Sequence, residues 1–197
     1  MNLPRMLGAA AVAGLLAHPA LVQAQTGQAE LAAQDLQFAE EATIGGLKEV
    51  TLGELAQQQA KDEQVAQFGQ RMVQDHGQAN EKLMAIAQQK GIQLPQELPE
   101  DAQQTYEELQ QLSGAEFDQA YMEEMVTDHE EDVELFEEQA QSGEDPDLRA
   151  FAEETLPILR DHLQMAEDIQ SELSTEVEGT NREQRHAAIF DAIGRIH

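Results

Sequence analysis

From Asp35 to Leu173, apolar side chains return every three or four positions in four long stretches, and nowhere between them does a strand-like alternation take over. Such a chain can bury its stripes only by laying helix on helix, so the fold class is all-α. The first stripe is Phe38, Ala42, Gly45, Glu49, Leu52 and Ala56; the second is Val65, Phe68, Met72, His76, Ala79, Leu83 and Ile86. The third runs through Phe117, Tyr121, Met122, Met125, His129, Val133, Phe136 and Ala140. The fourth includes Leu159, His162, Ala166 and Ile169. One polar residue or more therefore interrupts every stripe.

Punctuation between the stretches sets their ends. Asp35 is placed to cap the first helix and Asp62 the second, which stops at Lys90-Gly91, a basic last turn followed by glycine. Ser113-Gly114-Ala115-Glu116 reads as a capping box opening the third helix, and Asp145-Pro146 opens the fourth. Pro95 and Pro99 break the segment between the second and third stretches, leaving room for a short helix within 101–112. Gly45-Gly46, inside the first helix, lowers its propensity and points to a close approach by a neighbour. Two hairpins with brief turns, joined by a crossover bearing a short helix, define an antiparallel four-helix bundle of ferritin-like type over residues 35–173.

Outside that domain, Arg5 followed by an apolar run from Met6 to Val22 and small residues up to Ala24 reads as a signal peptide over residues 1–24, with a leader over 25–34. Export places the chain in the periplasm. The mature chain is expected to have no transmembrane helix. Residues 174–197 read as a polar linker over 174–184 and a short amphipathic helix carrying Ala188, Ile189, Phe190, Ile193 and Ile196. That helix would dock on the bundle or bind a protein or envelope partner.

Charge and cysteine usage exclude several functions. A net charge of −28 repels nucleic acid, and the absence of cysteine removes thiolate metal sites and redox pairs. No nucleophile with a base and no phosphate-cradling glycine loop stands out, so hydrolase and kinase chemistry have no residues to rest on.

What stands out is a repeated pair. Met72-Val73-Gln74-Asp75-His76 returns as Met125-Val126-Thr127-Asp128-His129 and, more loosely, as Ile158-Leu159-Arg160-Asp161-His162. Glu49 and the three histidines each lie about 14 to 17 residues beyond the cap of their helix, or roughly 21 to 26 Å along it. A midpoint is the same whether a helix runs up or down, so Glu49, His76, His129 and His162 can converge on one cavity. Three imidazoles and a carboxylate suit one divalent transition-metal ion by ligand type, without selecting which. Asp75, Asp128 and Asp161 point away from their own histidines but can accept the outer ring proton of a histidine on a neighbouring helix. The alternative is a polar core network in which each histidine pairs with an aspartate and no metal is needed.

Phe38-Ala39, Gly45-Gly46-Leu47-Lys48-Glu49-Val50, Leu52-Gly53, Met72 to His76, Gly114-Ala115-Glu116-Phe117-Asp118 and Leu156-Pro157 with Asp161-His162-Leu163 resemble the exported bacterial family named domain of unknown function 4142. The resemblance spans about Leu36 to Leu173. It implies a ferritin-like helical bundle outside the cytoplasm and carries no established reaction. The Glu-x-x-His of di-iron carboxylate proteins is missing, since Val73, Val126 and Leu159 stand three before the histidines.

Three functions follow, in order of how little they ask of the residues. The first is a non-catalytic binding or envelope-stress module holding one metal ion. The others are a metal-dependent oxidoreductase acting on a small oxidant, and a purely structural or partner-binding bundle.

Overall fold

The computed structural model describes residues 31–194, with side chains as far as Glu176. The signal peptide expected over 1–24 lies outside the described residues, as do the side chains of the C-terminal amphipathic segment and hence its docking. Five helices and no strand occur among the described residues: α1 Ala33–Gln59, α2 Glu63–Lys90, α3 Glu100–Gln110, α4 Ala115–Ser142 and α5 Pro146–Gly194. Helix α1 lies against α2 and α4, and α5 against the same two. The short α3 crosses over α1 and α4.

Buried apolar side chains form two clusters. One gathers Leu52, Phe68, Met72, Phe117, Tyr121, Met125 and Ile169; the other gathers Phe38, Leu83, Phe136, Leu148, Phe151 and Leu159. Each long helix passes through both, and in each a buried glutamate or histidine stands where it leaves one for the other: Glu49, His76, His129 and His162. Helices α1 and α2 meet the clusters in opposite order, as do α4 and α5. A polar layer thus divides the core at mid-height, where the cap-to-residue spacing places it.

Asp35 does not cap its own helix. That helix begins at Ala33, and the residue before it, Ala32, makes no side-chain cap bond. Fully buried, the Asp35 carboxylate instead accepts from Gln139 Nε2 at 2.7 Å and from the backbone N–H groups of Glu144 and Asp145 at 3.2 and 2.9 Å. It therefore satisfies donors in the turn that joins α4 to α5. Asp118 does the same for the other turn, accepting from the N–H groups of Lys61 and Asp62 at 2.9 and 3.0 Å. The separation from Asp35 to Asp118 is also that from Asp62 to Asp145 and from Glu49 to Asp132, so the two hairpins repeat one plan.

The capping box at Ser113 does not form either. Gly114, at φ 62°, occupies the cap position without a side-chain bond, and α4 starts at Ala115. Such a φ suits glycine and turns the chain before Ser113 can reach the first N–H groups. Asp62 and Asp145 do cap as expected, Asp62 accepting from Gln64 N–H and Asp145 from Asp147 and Leu148 N–H. Gly91 ends α2 in the left-handed conformation. The expected linker over 174–184 is also corrected: α5 runs on through it as helix to Gly194. Its glutamates and glutamine are good helix formers, and it contains no proline.

Close approach explains the paired glycines of α1. A Cβ on Gly46 would meet Asn80 Oδ1 at 2.1 Å, and one on Gly45 would meet Asp132 Oδ1 at 3.2 Å. Neighbours from α2 and α4 thus reach the α1 backbone beside Glu49.

Candidate metal centre

Glu49, His76, His129 and His162 come together as their mid-height positions predict. The three rings form a nearly equilateral set, with centroids 5.6 Å apart for His76–His129, 5.3 Å for His76–His162 and 5.4 Å for His129–His162. Each ring offers a nitrogen within 4.8 Å of the others. None of the three is more than 5 % exposed, and Glu49 is 1 % exposed.

Outer contacts decide where the ring protons sit. His129 Nδ1 lies 2.8 Å from the Met125 carbonyl, which can only accept, so the proton is on Nδ1 and Nε2 presents a lone pair. His162 Nε2 lies 2.9 Å from Asp75 Oδ2 and donates to it, which leaves Nδ1 bare. This pairing is the role expected of the aspartates, and Asp75 fills it. Asp128 pairs instead with Lys48 at 2.8 Å, and Asp161 is exposed. His76 Nδ1 lies 2.5 Å from Glu49 Oε2, and His76 Nε2 is bare.

The result is a buried set of unspent ligand atoms. His76 Nε2, His129 Nε2, His162 Nδ1 and Glu49 Oε1 have no hydrogen-bond partner, while Glu49 Oε2 accepts from His76 Nδ1. Glu49 Oε1 stands 3.1 Å from His129 Nε2, but with the ring proton on Nδ1 this contact sets one lone pair against another. Buried polar atoms normally find partners, because leaving one unmade costs about 1 to 3 kcal/mol.

Electrostatics keep most of these atoms in ligand form. Burial pushes the His162 pKa down to about 4, with His76 and His129 adding to the effect and Asp75 only partly opposing it, so the ring is neutral at pH 7. Burial and His76 likewise lower His129. Burial alone would lower His76, but Glu49 outweighs it and the pKa rises. Glu49 resists the upward push of its own burial because the three imidazoles hold it below the usual carboxylate range.

Two clefts approach this centre from opposite sides. One, of about 340 Å³, lies among α1, α3 and α4 and is lined by Glu49, Lys48, Asp128, Asp132 and further carboxylates. The other, of about 480 Å³, lies between α2 and α5 and reaches His76 and His162 past Arg71 and Lys82.

Sequence reasoning missed Asp132 and Lys48. Asp132 joins Glu49 and His76 in a second trio with ligand atoms within 4.8 Å of one another. Burial and the charge of Glu49 raise its pKa well above the carboxylate range. Its signal was available as His129-x-x-Asp132, a one-turn spacing on α4, but it sits in a run of acidic residues that resembles a solvated face. Lys48 bridges Glu124 at 2.6 Å and Asp128 at 2.8 Å. Even so, burial keeps Asp128 up at about 7.

Fold and site together define an all-helical protein with a polyhistidine–carboxylate layer buried at mid-bundle. The chain belongs to the family described as Domain of unknown function (DUF4142), which it matches over residues 20–169. No curated protein matches it. Among solved structures, it is similar to a DUF305 fragment from Deinococcus radiodurans, at 13 % identity and a TM-score of 0.64, covering 72 % of this chain and 98 % of that one. A DUF305 protein from Streptomyces coelicolor is similar at 13 % identity and a TM-score of 0.63, covering 72 % and 92 %. At this identity the likeness speaks for the helical fold alone. No helix among the described residues is long and apolar enough to cross a membrane.

Proposed function

We propose that this protein is an exported, ferritin-like antiparallel four-helix bundle that holds one divalent transition-metal ion at Glu49, His76, His129 and His162. It acts as a non-catalytic metal-binding or envelope-stress module. The observation that carries this reading is the convergence of three buried ring nitrogens that have lone pairs and no partner, beside a carboxylate with one oxygen that meets no donor. A polar network built only for stability would pair these atoms with one another, and a cation supplies what they lack. The 3.1 Å between Glu49 Oε1 and His129 Nε2 is close to the ~3.3 Å that two ligands at ~2.0 Å subtend at a tetrahedral ion. Asp75, accepting from His162, is the outer partner that orients a ligating imidazole. Export is supported by the N-terminal signal pattern, and the Streptomyces coelicolor structure is described as that of a candidate secreted protein.

A second reading, a metal-dependent oxidoreductase, is favoured by one feature. The α2–α5 cleft reaches His76 and His162 with room for a small oxidant beside the ion.

Elemental analysis of the purified mature chain tests the metal reading, with the His76→Ala, His129→Ala double variant alongside. The expected result is near-stoichiometric metal and a metal-dependent rise in melting temperature in the wild type, both lost in the variant. Wild type that neither retains nor takes up metal, with the variant merely less stable, would return the histidines to core architecture.

A further inference from the structure

The ligand nitrogens are sealed in the core, yet an ion must reach them. Of the two clefts that touch the layer, the α1–α3–α4 cleft is lined by Glu41, Glu49, Asp101, Asp128, Glu131 and Asp132 against a single ammonium, Lys48. That ammonium is already tied to Glu124 and Asp128. The α2–α5 cleft sets Arg71 and Lys82 against Asp75 and Glu154, so its charges balance. A cleft lined by one sign of charge raises the local concentration of the opposite ion by focusing the field. Cations are therefore drawn in on the α4 side.

Two residues of that lining, Glu49 and Asp132, form a second ligand trio with His76, which stands behind them and also belongs to the histidine trio. Glu49 is 1 % exposed, with Oε1 free of any donor, and it lines the cleft. Its Oε2 faces His76 Nδ1 while its Oε1 faces His129 Nε2, so one carboxylate touches both trios. Asp128, one turn before Asp132, adds a buried Oδ2 with no partner. His76 has its Nδ1 edge on the Glu49–Asp132 trio and its bare Nε2 for the histidine trio. Both trios draw on the same imidazole, that of His76, so they are filled in turn.

We propose that Glu49, His76 and Asp132 form a loading site. It takes a divalent transition-metal ion from the acidic cleft and hands it to the three-histidine centre, while Glu49 keeps hold throughout. Asp132 is a ligand on the way in and on the way out, and leaves the ion once it is seated. This inference rests on the metal reading above.

The test follows Co(II) uptake by the metal-stripped full chain through the visible absorption of the bound ion, and release to a chelator. Asp132→Asn preserves shape and removes the carboxylate ligand, and Glu130→Gln makes the same change on the exposed face of the same helix. In Asp132→Asn, uptake and release should each slow about tenfold, with the equilibrium affinity and final spectrum unchanged. Glu130→Gln should match wild type. His162→Ala, which touches only the inner trio, should keep fast uptake and lose affinity. Wild-type rates in Asp132→Asn, or a changed final spectrum and affinity there, would overturn the loading site and leave the metal centre standing. Failure of the wild type itself to take up Co(II) would overturn both.

Discussion

Helix α1 carries two buried carboxylates about four turns apart, and they live in opposite conditions. Asp35, fully buried at one end of the bundle, accepts three hydrogen bonds from Gln139, Glu144 and Asp145. Glu49, equally buried at mid-height, accepts one hydrogen bond, from His76, and sets its other oxygen against the bare Nε2 of His129. The chain can satisfy a buried carboxylate completely when the purpose is to hold a turn, and Asp118 shows that it does so twice. Glu49 has been left incomplete by the same fold. A carboxylate kept ionised with one oxygen unsatisfied beside bare ring nitrogens is arranged for something that is not part of the chain.

Removing the satisfied carboxylates should have the largest effect on folding. Asp35→Ala and Asp118→Ala each strand buried or half-buried N–H donors and should cost about 3 to 4 kcal/mol, read by denaturant unfolding. A loss under about 1 kcal/mol at either position would break the contrast from the structural side. Glu49→Gln should be milder in the metal-free protein, about 1 to 2 kcal/mol, because the carboxylate it replaces accepts one hydrogen bond there and the amide oxygen can still accept it. Metal-dependent stabilisation should nevertheless disappear. Equal destabilisation by Glu49→Gln and Asp35→Ala would make the two carboxylates the same kind of group.

The smallest effect concerns Asp128, whose pKa is raised from 3.8 to about 7 because burial outweighs the help of Lys48. Between those values the folded protein binds a proton that the unfolded chain has released, so this group's contribution to stability falls as pH rises from about 4 to about 7. In metal-free protein, Asp128→Asn should therefore gain on wild type across that window. Melting at a series of pH values checks it, and a constant difference would show that Asp128 titrates normally.

Much of this contrast was legible in the chain before any coordinates. Glu49 and the histidines were readable because stripe position and distance from a helix start are local quantities, and equal depth brings them together whichever way a helix runs. Asp62, Gly91 and Pro146 act on their immediate neighbours and behaved as their residue types dictate. Asp35 was misread because its partners in the α4–α5 turn lie more than a hundred residues away, and an aspartate before an apolar stripe looks like a cap whichever donors it serves. Ser113 was misread because the left-handed turn at Gly114 overrode the local cap pattern. Asp132 was hidden among acidic residues, since burial of one carboxylate in such a run depends on which neighbour, here Gly45, leaves room for it.

The most direct measurement is metal-edge X-ray absorption on the loaded full chain. Three histidines and Glu49 around one ion predict a first shell of nitrogen and oxygen at about 2.0 Å, with the multiple-scattering signature of imidazole rings that weakens in His129→Ala. An oxygen-only shell without that signature, or one unchanged by His129→Ala, would contradict the claim that the buried histidine layer is the metal centre.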